Sequence, residues 1–456
     1  MWTDKMVGKV DYLQRKIDLE LDEWYRLERP KPLVLQGARQ TGKSTTIRKL
    51  GESAPLFIEL NLDRYEDLRF IKQISSADEL LQALKLRENI SILPEGTLLF
   101  IDEVQEYSEA MKWLRFLYED HPEVAVVVAG SYLSVRLRQI GFSFPVGRVT
   151  FRNLGPLSFL EFALALGHDI LVDSIHKSVN IHEPLPLAAH MKASDLLNIY
   201  VRTGGMPEAV VEYRRDMAAN AASQVHRDLW QAFSEDLQKY PGDTRSIEAV
   251  FDHMVEFWGL PFKNERMVPD QTGKKTREAL KTLDGTRLVH LVKPSSSVHQ
   301  PLMARARTAC KLIPLDLGMA LSRIRFESRG RALEDLHHGR YAECLVGQQL
   351  LTSLDRLHYW VRQKRNSDAE VDFIIPTANG LLPIEVKSGA TGRLRSLHQF
   401  MMRSEGSIAV RLHSGPPEQC NLEVDLPEGS LQYRLLSLPL YMAELLLSVM
   451  ELSANE

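Results

Sequence analysis

Short apolar runs closed by polar residues or glycine dominate the first third of the chain. "PLVLQ" (Pro32–Gln36), "TLLFIDEVQ" (Thr97–Gln105) and "VAVVVAGSYLS" (Val124–Ser134) read as buried strands. "LFIELNLD" (Leu56–Asp63) reads as a further core strand, and "VDYLQRKIDLELDEWYRLERP" as a helix ahead of the first one. Strands and helices alternate up to about Phe151, which predicts a parallel sheet. From about Pro156 to Tyr240 the pattern turns helical, with "GGMPEAVVEY" (Gly204–Tyr213) as a loop followed by a helix, and predicts a lid. "SIEAVFDHMVEFWG" (Ser246–Gly259) is a helix. "TGKKTREALKTLDGTRLVHLVKP" (Thr272–Pro294) is a basic helix, a turn at Asp284-Gly285 and a strand, the element order of a winged helix. "AEVDFIIP" and "LLPIEVKSG" are two strands joined by a turn at Asn379-Gly380.

The first strand runs straight into "GARQTGKST" (Gly37–Thr45), which fits G-x-x-x-x-G-K-[ST]. Strand, loop and helix come in the order a phosphate cradle needs: loop N–H groups and a helix N-terminus facing the anion. Gly37, Gln40, Thr41, Gly42, Lys43, Ser44 and Thr45 are the nucleotide-binding candidates. Lys43 would reach the β- and γ-phosphates and Ser44 would bind Mg²⁺. The acids that close "TLLFIDEVQ" complete the reading, Asp102 holding the Mg²⁺ shell and Glu103 activating water. Ser131, after the third apolar run, would sense the γ-phosphate; its alternative is a plain helix cap. Arg148, in "FPVGRVTFRNLGPLSFLEF", would neutralise transition-state charge in cis or from a neighbouring subunit, or else is a surface arginine. The expected ligands are ATP and Mg²⁺.

Composition changes this picture little. At 456 residues, two to four domains are expected. The formal net charge of −4 excludes a global basic field, so any nucleic-acid surface must be local. One such segment exists. Between Lys263 and Lys311 there are eleven Lys/Arg (263, 266, 274, 275, 277, 281, 287, 293, 305, 307 and 311) against four acids (265, 270, 278 and 284). Phosphate contacts supply most non-specific DNA affinity, so this is the DNA-binding candidate, with Lys274, Lys275, Arg277 and Lys281 on its helix. The alternative is a solvated basic face. Cys310, Cys344 and Cys420 are three and widely spaced, which fits a reducing, cytoplasmic setting and no thiolate metal site. No apolar run is long enough to cross a membrane. "LYMAELLLSVM" (Leu440–Met450) comes nearest and reads as an amphipathic helix.

A second chemical signal lies near the C-terminus. Glu385 and Lys387 share a strand face at i and i+2, with Asp372 on the partner strand and Glu343 in the helical stretch "RYAECLVGQQLLTSL". This is the D-x(n)-E-x-K arrangement of restriction-endonuclease-like nucleases. Glu343, Asp372 and Glu385 would ligate Mg²⁺ and Lys387 would assist the metal-bound water. Exposed charges on an ordinary hairpin, or the same fold binding DNA without cutting it, are the alternatives.

Together "GARQTGKST", "LLFIDEVQ", "VAGSYLS", "VGRVTFRNLGPLSFLEF", "RTGGMPE", "KLIPLDLGMA" and "YWVRQKRNSDAEVDFIIP…LPIEVKSG" resemble a large family of prokaryotic AAA-type ATPases, over nearly the whole chain. The resemblance implies an α/β chain: a P-loop AAA-type ATPase core with a helical lid, a winged-helix-like domain and a C-terminal restriction-endonuclease-like α/β domain. The expected boundaries are 1–155, 156–244, 245–322 and 323–456. The expected activity is ATP hydrolysis that remodels or translocates DNA, with metal-dependent cutting at the C-terminal site; DNA is the expected partner, and a homo-oligomer is compatible with the sequence. The alternatives are a nucleotide-gated switch and a protein-interaction platform whose C-terminal domain does not cut.

Overall fold

The structure is a computed structural model. It describes residues 12–139, 147–179, 184–218, 220–304, 309–327, 339–362, 369–389, 394–427 and 429–453. The chain divides into two compact units, Met1–Leu154 and Gly155–Glu456.

The first unit contains α1 (Ile17–Tyr25), β1 (Leu33–Gln36), α2 (Lys43–Gly51), β2 (Phe57–Asn61), α3 (Tyr65–Ile71) and α4 (Ala77–Arg87). It continues with β3 (Thr97–Asp102), a 3-10 helix (Val104–Lys112), α5 (Trp113–Asp120), β4 (Val124–Gly130), α6 (Leu133–Gln139) and β5 (Thr150–Asn153). All five strands pair in parallel, in the order β2-β3-β4-β1-β5. The apolar runs are continuous because the sheet is covered on both faces. Alternate residues go to opposite sides. Leu99, Ile101, Val126 and Val128 pack with α4 and α5, while Leu98, Phe100, Ala125 and Val127 pack with α1 and α2. The first helix is shorter than its pattern suggests. It starts at Ile17, and the described residues before it, from Tyr12, are not helical.

The second unit opens with five helices: α7 (Phe159–Ala165), α8 (Asp169–Lys177), α9 (Leu187–Thr203), α10 (Pro207–Asp216) and α11 (Ser223–Asp236). Next come α12 (Thr244–His253), α13 (Gly273–Gly285), β6 (Val289–Ser295), β7 (Lys311–Pro314), α14 (Leu317–Glu327) and α15 (Gly339–Leu350). The rest is β8 (His358–Val361), β9 (Glu370–Thr377), β10 (Gly380–Val386), α16 (Arg395–Met401), β11 (Ile408–His413), β12 (Glu418–Leu426), β13 (Gly429–Pro439) and α17 (Leu446–Ser453). Eight strands form one mixed sheet, β12-β13-β11-β10-β9-β8-β6-β7. The hairpin of β6 and β7 that follows α13 is therefore not separate: β6 pairs in parallel with β8 and extends the C-terminal sheet.

Three local expectations shift. Asp284 and Gly285 end α13 instead of forming a turn. Chain reversal follows at Arg287 (φ 65°), and Asp284 accepts the Leu291 N–H at 3.0 Å. In the β9–β10 hairpin Gly380 pairs with Thr377, so the turn residues are Ala378 and Asn379, one position earlier than the Asn-Gly signal implies. "LYMAELLLSVM" is not one continuous amphipathic helix. It is a 3-10 turn (Leu440–Leu445) leading into α17, and the buried Glu444 carboxylate accepts the Leu160 N–H at 2.9 Å.

The expected breaks near 244 and 322 fall inside the second unit, and buried hydrogen bonds run across them. Tyr200 on α9 accepts from the amides of Gln348 and Gln349 on α15, at 3.0 and 3.1 Å, and donates to the Leu157 carbonyl at 2.6 Å. Gln349 in turn accepts the Phe159 N–H at the start of α7. Two of the motifs behind the family resemblance, "RTGGMPE" and "KLIPLDLGMA", meet here. The buried Asp316 carboxylate accepts from Gly205 N (2.6 Å) and Met319 N (2.8 Å), and burial pushes its carboxyl up to about 6. Gly204 has φ 73° and ψ −176°, a region open essentially to glycine alone, and a Cβ there would lie 2.0 Å from Asp316 Oδ1. Gly204→Ala combines backbone strain with overpacking and is expected to cost about 3 kcal/mol. Chemical denaturation of wild type and variant measures it; a loss below about 0.5 kcal/mol would mean the joint is loose.

Candidate functional site

In the first unit, β1 is a buried strand whose C-terminal end delivers the loop. Gln40 and Gly42 take left-handed backbone (φ 60° and 97°), folding the loop back towards α2. Gly37 must lack a side chain, because a Cβ would lie 2.2 Å from the Leu154 carbonyl. Thr41 donates to the Ala38 carbonyl at 3.0 Å, inside the loop. Thr45 is exposed on the first turn of α2.

The Lys43 ammonium is buried and donates to the carbonyls of Gly37 (3.0 Å) and Ala38 (2.8 Å) and to Ser131 Oγ (3.2 Å). Burial pulls its pKa down, while the charges of Glu103 and Asp102 oppose that. Ser44 Oγ donates to Asp102 Oδ2 at 2.5 Å, and Asp102 Oδ1 accepts the Glu103 N–H at 3.0 Å. Glu103 sits in left-handed backbone (φ 51°) just past β3. Its carboxylate accepts from Ser131 Oγ at 3.3 Å and from the Gln105 amide. Burial pushes both acids up, Asp102 despite the Ser44 hydrogen bond and Glu103 despite Lys43. β1, β3 and β4 are adjacent in the sheet, so their C-terminal ends bring Lys43, Ser44, Asp102, Glu103 and Ser131 together.

Arg148 is not brought to this cluster. It forms an ion pair with Glu119 at 2.9 Å. It precedes β5 by two residues, and Thr150, the first residue of β5, pairs with Leu33, the first residue of β1. The phosphate loop follows the last residue of β1. Arg148 thus lies at the opposite edge of a parallel sheet, and the cis role is corrected: within its own subunit it does not face the loop.

Three contributors escape the sequence reading. Gln105 is buried and fixes Glu103. Arg15 donates to the Thr41 carbonyl at 3.0 Å, and Tyr12 donates to Thr46 Oγ1 at 3.3 Å. Gln105 was legible in principle, two residues beyond Glu103; Arg15 and Tyr12 fall in a stretch whose pattern reads as helix, and the structure instead leaves residues 12–15 outside α1, in contact with the loop and α2.

The ATP-linked Mg²⁺ expected here is compatible with the donor set, an alcohol and a carboxylate already hydrogen-bonded beside a buried ammonium. The C-terminal set behaves differently. Glu343 on α15, Asp372 on β9 and Glu385 on β10 do converge, and β9 adds Glu370 two residues before Asp372. Lys387 pairs with Glu385 Oε1 at 2.6 Å, and the Val386 N–H donates to Asp372 Oδ2 at 2.7 Å. β10 is buried on both faces, so Glu385 is as enclosed as its apolar neighbours. A second lysine enters the cluster. Lys311, the first residue of β7 and 1% exposed, places its ammonium 2.7 Å from Glu343, 2.5 Å from Glu370 and 3.6 Å from Asp372. Burial and repulsion from Asp372 push Glu343 up to about 8 and Glu385 up to about 7, each against its lysine. Among the described residues no group of three or more His, Cys, Asp or Glu is placed to hold a metal ion. The acids meet, but around an ammonium, and as arranged they do not fit a divalent cation.

The basic helix α13 keeps its expected face. Thr272 caps it, Thr276, Ala279, Leu280 and Leu283 are buried, and Lys274, Lys275, Arg277 and Lys281 are exposed. Lys275 pairs with Asp243 at 3.2 Å. The charge available there is smaller than the count suggests. Lys311 is buried among acids, Arg287 is half-buried, and Arg305 and Arg307 lie outside the described residues. None of Cys310, Cys344 and Cys420 is in a disulfide. Among the described residues no helix is long and apolar enough to cross a membrane.

Residues 29–163 match the family model described as the AAA domain, and residues 338–414 match one described as a domain of unknown function (DUF4143). No curated protein matches the chain. Among solved structures the chain is similar to a Walker-type ATPase of Pyrococcus abyssi, at 15% identity over 69% of this chain and 96% of that one, with a TM-score of 0.42. It is also similar to PCH-2 of C. elegans, at 14% identity over 42% of this chain and 59% of that one, with a TM-score of 0.27. The AAA-domain match, the five-stranded parallel sheet and the loop geometry define the class of the N-terminal part: it is a P-loop domain of the AAA ATPase type.

Proposed function

We propose that the chain is an ATP-hydrolysing, DNA-binding protein. The observation that carries the first half is the linked set Lys43–Ser131–Glu103–Gln105, with Ser44 hydrogen-bonded to Asp102 beside it. The loop N–H groups and the N-terminus of α2 bind the phosphates. Lys43, now held by loop carbonyls, is the mobile cation that meets the β- and γ-phosphates. Mg²⁺, held by Ser44 and Asp102, would neutralise charge on those phosphates. Glu103, raised by burial and aimed by Gln105 and Ser131, takes the proton of the attacking water. Ser131 touches both Lys43 and Glu103, which suits a residue that reports the γ-phosphate. Arg148, at the far edge of the sheet, acts only from a neighbouring subunit, so a homo-oligomer is part of this proposal.

The exposed row Lys274, Lys275, Arg277 and Lys281 supports DNA as the partner, in a winged-helix-like arrangement of α12, α13 and the β6–β7 hairpin. Triple reversal to glutamate at 274, 275 and 277 is expected to lower the slope of log K against log salt by about 3 units, at roughly 0.9 per lost phosphate contact. An unaltered slope in a salt titration would move the DNA surface off α13. Remodelling or translocation of branched or broken DNA is the activity we assign to the coupled machine. The second reading, a nucleotide-gated switch whose nuclease-like domain binds without cutting, is favoured by one observation: the ammonium of Lys311 among the acids.

The deciding experiment measures ATP hydrolysis by the full chain, alone and with single-stranded, duplex and four-way branched DNA, and follows the same DNA on a gel. Stimulation by one form supports the processing reading and names its substrate. Slow turnover with retained nucleotide and no stimulation supports the switch. No hydrolysis at all would overturn the enzyme assignment.

A further inference from the structure

The acid cluster of the second unit has the residue types of a divalent-metal site and a different occupant. We propose that Lys311 is a resident replacement for the metal ion: its ammonium sits among Glu343, Glu370 and Asp372, so the domain takes up no catalytic Mg²⁺ and does not cut nucleic acid through a metal-activated water. This does not depend on the ATPase reading and fails or stands separately from it.

Four observations carry it. The first is position. The Lys311 Nζ approaches oxygens from three carboxylates on two elements, α15 and β9, at 2.7, 2.5 and 3.6 Å. The second is anchoring. Lys311 belongs to a strand, is buried, and lies 5.1 Å from the Tyr359 ring centroid, a cation–π distance. The carboxylates further stabilise its charged form against burial. The third is charge. Glu343, Glu370, Asp372 and Glu385 face two ammoniums, Lys311 and Lys387. A divalent cation beside Lys311 would set like charges a few ångströms apart in a poorly solvated place. The fourth is ligand supply. Mg²⁺ demands a near-octahedral shell of oxygens. Asp372 Oδ2 is taken by the Val386 N–H and Glu385 Oε1 by Lys387. Glu343 Oε2 and Glu370 Oε1 face Lys311 in the same way, so each of the four carboxylates already spends at least one oxygen on a protein donor.

Removing the ammonium should therefore create what it replaces. Mn²⁺ is the probe, titrated without nucleotide into the full chain and followed by the loss of the free-ion electron paramagnetic resonance signal. Any Mn²⁺ at the phosphate loop is common to all variants. Wild type and Asp372→Asn are expected to bind equal amounts. Lys311→Met is expected to bind one more Mn²⁺ per chain than wild type, and Lys311→Met with Asp372→Asn to lose it again. A Mn²⁺ that wild type binds and Asp372→Asn loses would overturn the proposal. So would a Lys311→Met protein with wild-type circular dichroism and ATP turnover that binds no additional ion. Should Lys311→Met fail to fold, the comparison of wild type with Asp372→Asn decides alone: equal binding supports the resident lysine and unequal binding removes it.

Discussion

Lys43→Ala is expected to lower ATP turnover by about 10²–10³-fold, the usual loss when a preorganised charge is removed from a water-poor site. Lys43 donates both to the loop carbonyls of Gly37 and Ala38 and to the Ser131 hydroxyl. Its ammonium is held where the surroundings screen little, so each phosphate charge it meets counts for more than it would in water. The loop itself is expected to persist in the variant. Thr41 still bonds Ala38, Arg15 still bonds the Thr41 carbonyl, and α2 still starts at residue 43 with Thr46 N–H bonded to the Gly42 carbonyl. Circular dichroism should be unchanged while steady-state phosphate release collapses. Turnover within about threefold of wild type would remove the phosphate loop from the mechanism.

Glu103→Gln should separate binding from chemistry. The change is isosteric. The remaining carbonyl oxygen can still accept from Gln105. The new amide can donate to Ser131, whose oxygen has room for a second donor beside Lys43. Nucleotide affinity should stay within about twofold. Hydrolysis should fall by about 10²–10⁴-fold, because an amide cannot take a proton from water. Equilibrium binding of a fluorescent nucleotide and single-turnover hydrolysis read the two halves separately. Hydrolysis within tenfold of wild type would mean that another group activates the water, and Asp102 would be the next carboxylate to test. A matching loss of affinity would mean that Glu103 holds the loop rather than the water.

Much of the first unit was legible because its signals are local. A parallel strand covered on both faces must be apolar without interruption, and "LLFI" and "VAVVVA" say so in four and six letters. The loop announces itself for the same reason, since Gly37, Lys43 and Ser44 fall within one contiguous stretch. Asp102 and Glu103 stood out because two acids at the end of a buried strand need a reason to be there. Gln105 lies in the same stretch, but only the left-handed backbone at Glu103 turns the chain so that its amide meets that carboxylate.

In the second unit the sequence set the residue types, and tertiary structure decided their partners. Strand parity and a helical stretch point to Glu343, Asp372, Glu385 and Lys387, and these residues do meet. Lys311 belongs to the basic segment by sequence and to the buried acids by structure, because a lysine's charge is visible in sequence and its burial is not. Its place among the acids depends on the neighbours chosen by β7, α15 and β9, which lie far apart along the chain. The same holds for Arg148, which sequence placed after a glycine and before a strand. The parallel pairing of β5 with β1 sent it to the edge away from the loop. By itself the sequence determined a phosphate-binding loop on a parallel sheet and an acid-rich C-terminal hairpin, because periodicity and contiguous motifs are short-range properties. Only the tertiary structure decided which cation those acids surround and which edge the arginine occupies, because both follow from strand order, and strand order is set by packing between residues that sequence distance does not relate.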